Sequence, residues 1–226
     1  MNKSVIIVAG GSGTRMGANI PKQFVVLNNK PVLMHCIKRY HEYDSKLPIN
    51  LVLPETEIET WNSLIKKFSF SISHKIIKGG ISRFHSVKNG LDNLKEHCLV
   101  AIHDGVRPLC SIELIKRCFD EAEKNSNAVP AIRITETIRE LKNDKNSIVD
   151  RENFRIIQTP QCFNSELLKK AYLNPDAENF TDDAGVFESD GNKIHLIDGE
   201  KSNIKITVKE DLIIAAALEK ELFNWS

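Results

Sequence analysis

SVIIVAGGSGTRMG occupies residues 4–17, and Pro21-Lys22-Gln23-Phe24 follows shortly after. The apolar run 4–8 reads as a β-strand that ends at Ala9 and spills into Gly10, Gly11 and Gly13. Removing Cβ atoms where a chain leaves a sheet exposes backbone N–H groups that can close around phosphate oxygens. Arg15 and Lys22 add full charges, and an arginine offers a fork of donors matched to phosphate. The same residues, taken alone, also describe a flexible turn carrying two solvated cations.

Working outward, short β-branched runs alternate with helical patterns, which predicts an α/β fold around a mostly parallel twisted sheet with helices on both faces, Rossmann-like in class. Strands are predicted at 4–8, 49–53, 71–77, 99–103, 128–134, 155–158 and 194–197, with a further short strand at 203–207 in which Lys205 points opposite to Ile204 and Ile206, away from the core. Pro31 suits the first turn of a helix through Leu33, Ile37 and Tyr40. Thr56 with Glu59, and Thr207 with Glu210, have capping-box spacing, and Ser111 can cap a helix through Leu114 and Cys118. Residues 134–156 break the rhythm: alternating apolar positions flank the polar centre 142–146 and predict a protruding β-hairpin arm with a loose turn. The whole of 1–226 is expected to be one domain carrying that arm.

Composition narrows the function classes. A net charge of +1 gives no bulk attraction to nucleic acid or anionic lipid, so any anion site must be local. No apolar run approaches the roughly 20 residues that span a bilayer, and no basic-plus-apolar leader opens the chain. The five cysteines, Cys36, Cys98, Cys110, Cys118 and Cys162, include no CxxC pair and fit buried, reduced thiols in a cytoplasmic protein.

Two familiar phosphate loops do not fit. A P-loop ends in Gly-Lys-Ser/Thr, which is absent, and the dinucleotide fingerprint needs closer glycines than Gly11, Gly13 and Gly17. Where an acidic ribose partner would follow, the chain has Pro31-Val32-Leu33. AGGSGTRMG with PKQF instead resembles the signature loop of sugar-phosphate nucleotidyltransferases. GGISRFHSV (79–87), HDGVRP (103–108), VDRENFRIIQTPQCF (149–163) and NIKITVKEDL (203–212) extend the likeness to the 2-C-methyl-D-erythritol 4-phosphate cytidylyltransferase family over nearly the whole chain.

That resemblance implies a set of roles. Ala9, Gly10, Gly11, Gly13, Gly80, Ser86 and Asp104 would hold CTP, with Asp104 also binding Mg²⁺ or another divalent cation. Arg15, Lys22 and Lys205 would be the catalytic cations at the α-phosphate, and Arg107, Thr137, Arg151, Thr159 and Thr181 would hold the acceptor polyol phosphate. The arm would cross to a second subunit, making a homodimer. The residues themselves leave several alternatives open. Asp104 could simply pair with Arg107, and Ser82 could be a plain helix cap. Thr181 could cap a helix whose first turn carries Asp182 and Asp183. Where the family has an alanine-acidic pair before the pocket serine, this chain has Phe84-His85. Competing readings are a cytidylyltransferase for another polyol phosphate, such as ribitol 5-phosphate, and a nucleotide-binding module without catalysis.

Overall fold

In the computed structural model, which describes residues 1–11 and 20–223 apart from the side chains at 175, 176 and 223, the opening run is β1 (Lys3–Val8). Side chains alternate along a strand, so Val5 and Ile7 enter one helical layer while Ile6 and Val8 enter the other. Both faces are covered, which is why Val5–Val8 is uninterrupted by polar residues.

A short 3-10 turn at Lys22–Phe24 and the ribbon β2 (Val26–Leu27) with β3 (Lys30–Pro31) lead into α1 (Val32–Tyr43). Pro31 therefore stands at the cap position, one residue before the first turn expected for it. Next come β4 (Ile49–Leu53), α2 (Ile58–Lys67), β5 (Lys75–Lys78), α3 (Arg83–Asp92), β6 (Leu99–Asp104), α4 (Ile112–Asn125) and β7 (Asn127–Arg133). The Thr56–Glu59 capping box does not form: Glu55–Glu57 winds as a 3-10 turn, and no side chain caps α2. Ser111 does cap α4, its hydroxyl accepting from the Leu114 N–H at 2.9 Å.

The arm is β8 (Arg139–Lys142) with β9 (Lys145–Ile148). Its turn is tight rather than loose, because Asn143 (φ 47°) and Asp144 (φ 60°) both take left-handed backbone, the geometry of a two-residue hairpin loop. Beyond it lie β10 (Arg155–Ile157), β11 (Gln161–Asn164), α5 (Ser165–Ala171), α6 (Asp183–Ser189), β12 (Leu196–Asp198) and α7 (Lys209–Phe223).

The main sheet has the order β10-β7-β11-β6-β1-β4-β5, with β12 beside β7. β6, β1, β4 and β5 run parallel, whereas β11 inserts antiparallel between β6 and β7. One layer gathers Leu33, Ile37, Tyr40, Trp61, Leu114 and Phe119 from α1, α2 and α4. The other gathers Val87, Leu91, Leu168 and Phe187 from α3, α5 and α6. All five cysteines are free and buried. Among the described residues no helix is long and apolar enough to cross a membrane.

Parallel pairing sends the ends of β1, β4, β5 and β6 to the same edge, and the register sets Val8 beside Asp104. Ligands of open α/β sheets gather beyond such carboxyl ends.

Candidate active site at the carboxyl edge of the sheet

The chain leaving β1 is anchored before it turns. The Ala9 N–H donates to the Val52 carbonyl at 3.0 Å, and the Ala9 carbonyl accepts from Gln23 Nε2 at 2.9 Å. Gln23 is buried, and Phe24 stacks on Trp61 with centroids 6.0 Å apart. Gln23 thus ties the chain after the glycine segment to its start, and Phe24 packs the same turn on α2. A Cβ at Gly11 would lie 3.2 Å from Lys22 Cε and 3.7 Å from Nζ, so Lys22 rests against backbone that carries no side chain. Gly13 and Arg15 lie outside the described residues.

Asp104 ends β6 and is buried among cations. Lys205 Nζ lies 2.8 Å from Oδ2, Arg107 Nε 3.8 Å from Oδ2, and Arg83 Nη2 3.6 Å from Oδ1. Burial alone would favour the protonated acid, but Arg83, Lys205 and Arg107 outweigh it and hold the carboxyl well below the usual carboxylate range. Asp104 is therefore an anion at neutral pH. Its backbone is fixed too: the Asp104 N–H donates to Thr159 Oγ1 at 3.0 Å. The neighbouring His103 ring lies 3.1 Å from the Arg107 carbonyl through Nε2 and 3.4 Å from Thr159 Oγ1 through Nδ1. A carbonyl can only accept, so Nε2 carries the proton and Nδ1 is left to accept from the threonine. Burial lowers the His103 pKa to about 4, which keeps the ring neutral.

Lys205 reaches Asp104 from a segment that the sequence pattern casts as a strand. The segment joins no ladder; it is pinned by single contacts. Arg107 Nη1 donates to the Asn203 carbonyl at 2.8 Å, Asn203 Nδ2 donates to the Thr159 carbonyl at 2.8 Å, and the Ile206 N–H donates to the Val106 carbonyl at 2.9 Å. Ile206 is fully buried and Lys205 points the opposite way, as alternation requires. Arg107, expected on the sugar-phosphate side, is itself buried, with its fork turned to Asn203. Thr207 pairs with Asp211 instead of forming the expected box with Glu210: Asp211 Oδ2 accepts from the Thr207 N–H (2.7 Å), the Thr207 hydroxyl (2.6 Å) and the Val208 N–H (3.0 Å).

The third strand end supplies Gly79 and Gly80. The Gly80 N–H donates to Ser86 Oγ at 3.1 Å, folding the loop back over the start of α3. A Cβ at Gly80 would sit 2.3 Å from His85 Cβ, a distance no side chain tolerates. Ser82 caps the helix, accepting from the His85 N–H at 3.3 Å. Ser82 is thus the helix cap, while Ser86 is buried beneath the Gly80 turn.

The acceptor candidates divide. Thr159 is buried beside Asp104, whereas Thr181 is exposed ahead of α6. Thr181 is not the cap: Asp182 accepts from the Gly185 N–H at 3.0 Å, and Asp183 turns inward. Thr137 and Arg151 are exposed at the base of the arm, with Arg151 donating to the Thr135 carbonyl. The sequence reading placed no role on Asp183, Gln161 or Gln23. Only the paired acids after Thr181 signalled the first of these.

Among the described residues no cluster of three or more metal-ligating side chains exists. Asp104, ionised and already facing Lys205, Arg83 and Arg107, would offer a hard cation one carboxylate, with substrate phosphates and water to complete its shell. A cavity of about 820 Å³ lies at the opposite, amino edge, lined by residues such as Lys3, Asn50, His74 and Glu96. It touches none of the candidate site residues.

A family model described as 2-C-methyl-D-erythritol 4-phosphate cytidylyltransferase matches residues 4–221. The chain belongs to this family. The relative of that name from Azobacteroides pseudotrichonymphae is 51% identical, covering 96% of this chain and 98% of its own. The one from Bacteroides thetaiotaomicron is 46% identical over 96% of this chain and all of its own. Among solved structures, the 4-diphosphocytidyl-2C-methyl-D-erythritol synthase of Anaerococcus prevotii superposes with a TM-score of 0.82 at 29% identity, covering 97% and 98% of the two chains.

Proposed function

We propose that this chain transfers the cytidylyl group of CTP to 2-C-methyl-D-erythritol 4-phosphate, giving 4-diphosphocytidyl-2-C-methyl-D-erythritol and pyrophosphate. The observation that carries the reading is the meeting of Lys205 and Asp104 at 2.8 Å in a chain of this family, at the edge where the Gly10–Gly11 backbone and Lys22 also lie.

The nucleophile is a phosphate monoester oxygen. Its second pKa of about 6 leaves it largely anionic at neutral pH, so the reaction needs no general base. The obstacle is repulsion between two anions, and the protein's contribution is positioning and charge. The backbone of Ala9, Gly10 and Gly11 wraps the triphosphate, and the family motif assigns Gly13 to the same task. Gly80 and Ser86 read the cytosine edge. Lys22 and Lys205 face the α-phosphate and take up the charge that builds in the transition state, a task the family motif also assigns to Arg15. Asp104 holds a divalent cation, which supplies charge neutralisation to the triphosphate when bound. Asp104 also aims Lys205, and Arg107 works from beneath by fixing the Asn203 carbonyl. Thr159 and Thr181 line the acceptor side, and Thr137 and Arg151 complete it across a homodimer through the arm. Five free, buried cysteines accord with work in the reducing cytoplasm.

A coupled pyrophosphate-release assay with CTP, Mg²⁺ and either 2-C-methyl-D-erythritol 4-phosphate or ribitol 5-phosphate tests this reading. Turnover with the first acceptor well above the second supports it. Preference for ribitol 5-phosphate reassigns the acceptor, and CTP binding without pyrophosphate release with either acceptor removes the catalytic assignment.

A further inference from the structure

Arg83 opens α3 and reaches α6 in the same helical layer, 100 residues away in sequence. Its fork is bidentate on Asp183, Nη1 to Oδ1 at 3.1 Å and Nη2 to Oδ2 at 2.6 Å. The same Nη2 lies 3.6 Å from Asp104 Oδ1. Asp183 is completely buried and also accepts from the Tyr172 hydroxyl at 2.6 Å, while the Tyr172 ring stacks on Phe84 at 4.7 Å. A buried carboxylate with this many donors is held in one place.

The contacts close into a ring. From Asp183, the chain runs back one residue to Asp182, which accepts from Gln161 Nε2 at 2.8 Å. Gln161 Oε1 in turn accepts from the Ala184 N–H at 2.9 Å. Two residues before Gln161 stands Thr159, whose hydroxyl accepts from the Asp104 N–H at 3.0 Å. Asp104 faces Arg83, and the circuit is complete. Thr159 is a member of this ring and Thr181 stands one residue outside it, next to Asp182; the functional reading above assigns both to the acceptor side. Ser86, on the nucleotide side, lies on α3 one turn from Arg83.

We propose that Arg83 is a positioning residue that sets the acceptor-side threonines at a fixed distance from Asp104, acting through Asp183 rather than by touching substrate. This rests on the functional reading above. Its consequence is an asymmetry. Loosening the fork displaces α6 and Thr181 relative to Asp104, but leaves the Gly80–Ser86 contact intact.

Steady-state constants for CTP and for 2-C-methyl-D-erythritol 4-phosphate, measured separately for wild type, R83K, the R83Q/D183N double variant and Y172F, test it. R83K keeps the charge and loses the fork; the double variant removes both charges together, so neither is stranded in the interior; Y172F removes one hydroxyl. The expected result is an acceptor KM raised roughly tenfold or more in R83K and the double variant, and about threefold in Y172F, with the CTP KM within about twofold of wild type. A CTP KM rising in parallel with the acceptor KM, or acceptor constants unchanged in the variants that fold, would overturn the inference. So would Y172F with wild-type constants beside arginine variants that fail to fold. Silence of the wild-type enzyme with this acceptor sinks the functional reading and this inference together; an active wild type with unmoved variants sinks this inference alone.

Discussion

Single side chains in this site are set by what surrounds them. Asp104 is charged because three cations outweigh its burial, and His103 beside it is neutral because burial dominates. The histidine gives a pH signature. Its folded pKa of about 4 lies below the ordinary value of 6.5, so between those values the unfolded chain binds more protons and acid favours unfolding. That group alone costs about 3 kcal/mol by pH 4, fully expressed only once the pH has fallen through the folded pKa. In urea titrations from pH 7 to pH 4, His103→Gln should lose less stability than wild type, retaining the shares of buried His35 and half-buried His74, whose pKa values desolvation also lowers. An identical pH slope in the two proteins would contradict this. At this scale the sequence was informative about identity and silent about partners. Lys205 between two isoleucines was legible as outward-facing, but its contact with Asp104 joins positions far apart in the chain. Asp183 was read as ordinary helix-start acidity, because nothing local distinguishes it from Asp182. Only the fold decides which of the two caps α6 and which turns inward to Arg83.

Elements were legible where the apolar pattern is long. β4 and β6 are buried along their length and β1 from Ser4 onward, and their runs of apolar residues stand out. β11 was not anticipated: it has four residues, only Cys162 and Phe163 are apolar, and Pro160 precedes it, so no period can establish itself. The 203–207 segment shows the reverse failure, with strand-like alternation but pinning by isolated contacts in place of a ladder. Capping signals behaved likewise. Ser82 and Ser111 cap as their spacing suggests, while Thr56 does not, because a 3-10 turn occupies the helix start. The element with the sharpest local constraint is the Gly79–Gly80 turn into α3. Gly80→Ala places a methyl 2.3 Å from His85 Cβ, which is fixed to the helix backbone and cannot swing aside. The turn must shift, carrying the Gly80–Ser86 contact with it. The expected outcome is a CTP KM raised roughly tenfold with the acceptor KM little changed; unchanged CTP affinity by calorimetry would place the pocket elsewhere.

At the scale of the whole molecule, the fold is a parallel-sheet edge that gathers distant segments, plus an arm that buries nothing of its own. Every residue of β8 and β9 is exposed, with Leu141 at 81% and Ile148 at 68% of their accessible surface. Apolar side chains held out on a hairpin mark a surface suited to burial against another chain. The variant Leu141→Asp/Ile148→Asp should therefore sediment as a monomer with the melting temperature of a folded protein, bind CTP, and lose acceptor turnover. A variant that remains dimeric would contradict this role for the arm. The family was visible in the motifs because they span the chain, and the same motifs drew the outline of the candidate site. The placement of Arg83, Gln23 and Asp183 was not, because each acts through a partner supplied by tertiary structure. The account as a whole rests on Lys205 acting on the α-phosphate from its seat on Asp104. Single-turnover cytidylyl transfer by Lys205→Ala, at saturating CTP and acceptor, tests this most directly. The rate should fall on the order of 10²–10³ with the fold intact by circular dichroism; a folded variant that turns over at close to the wild-type rate would contradict it.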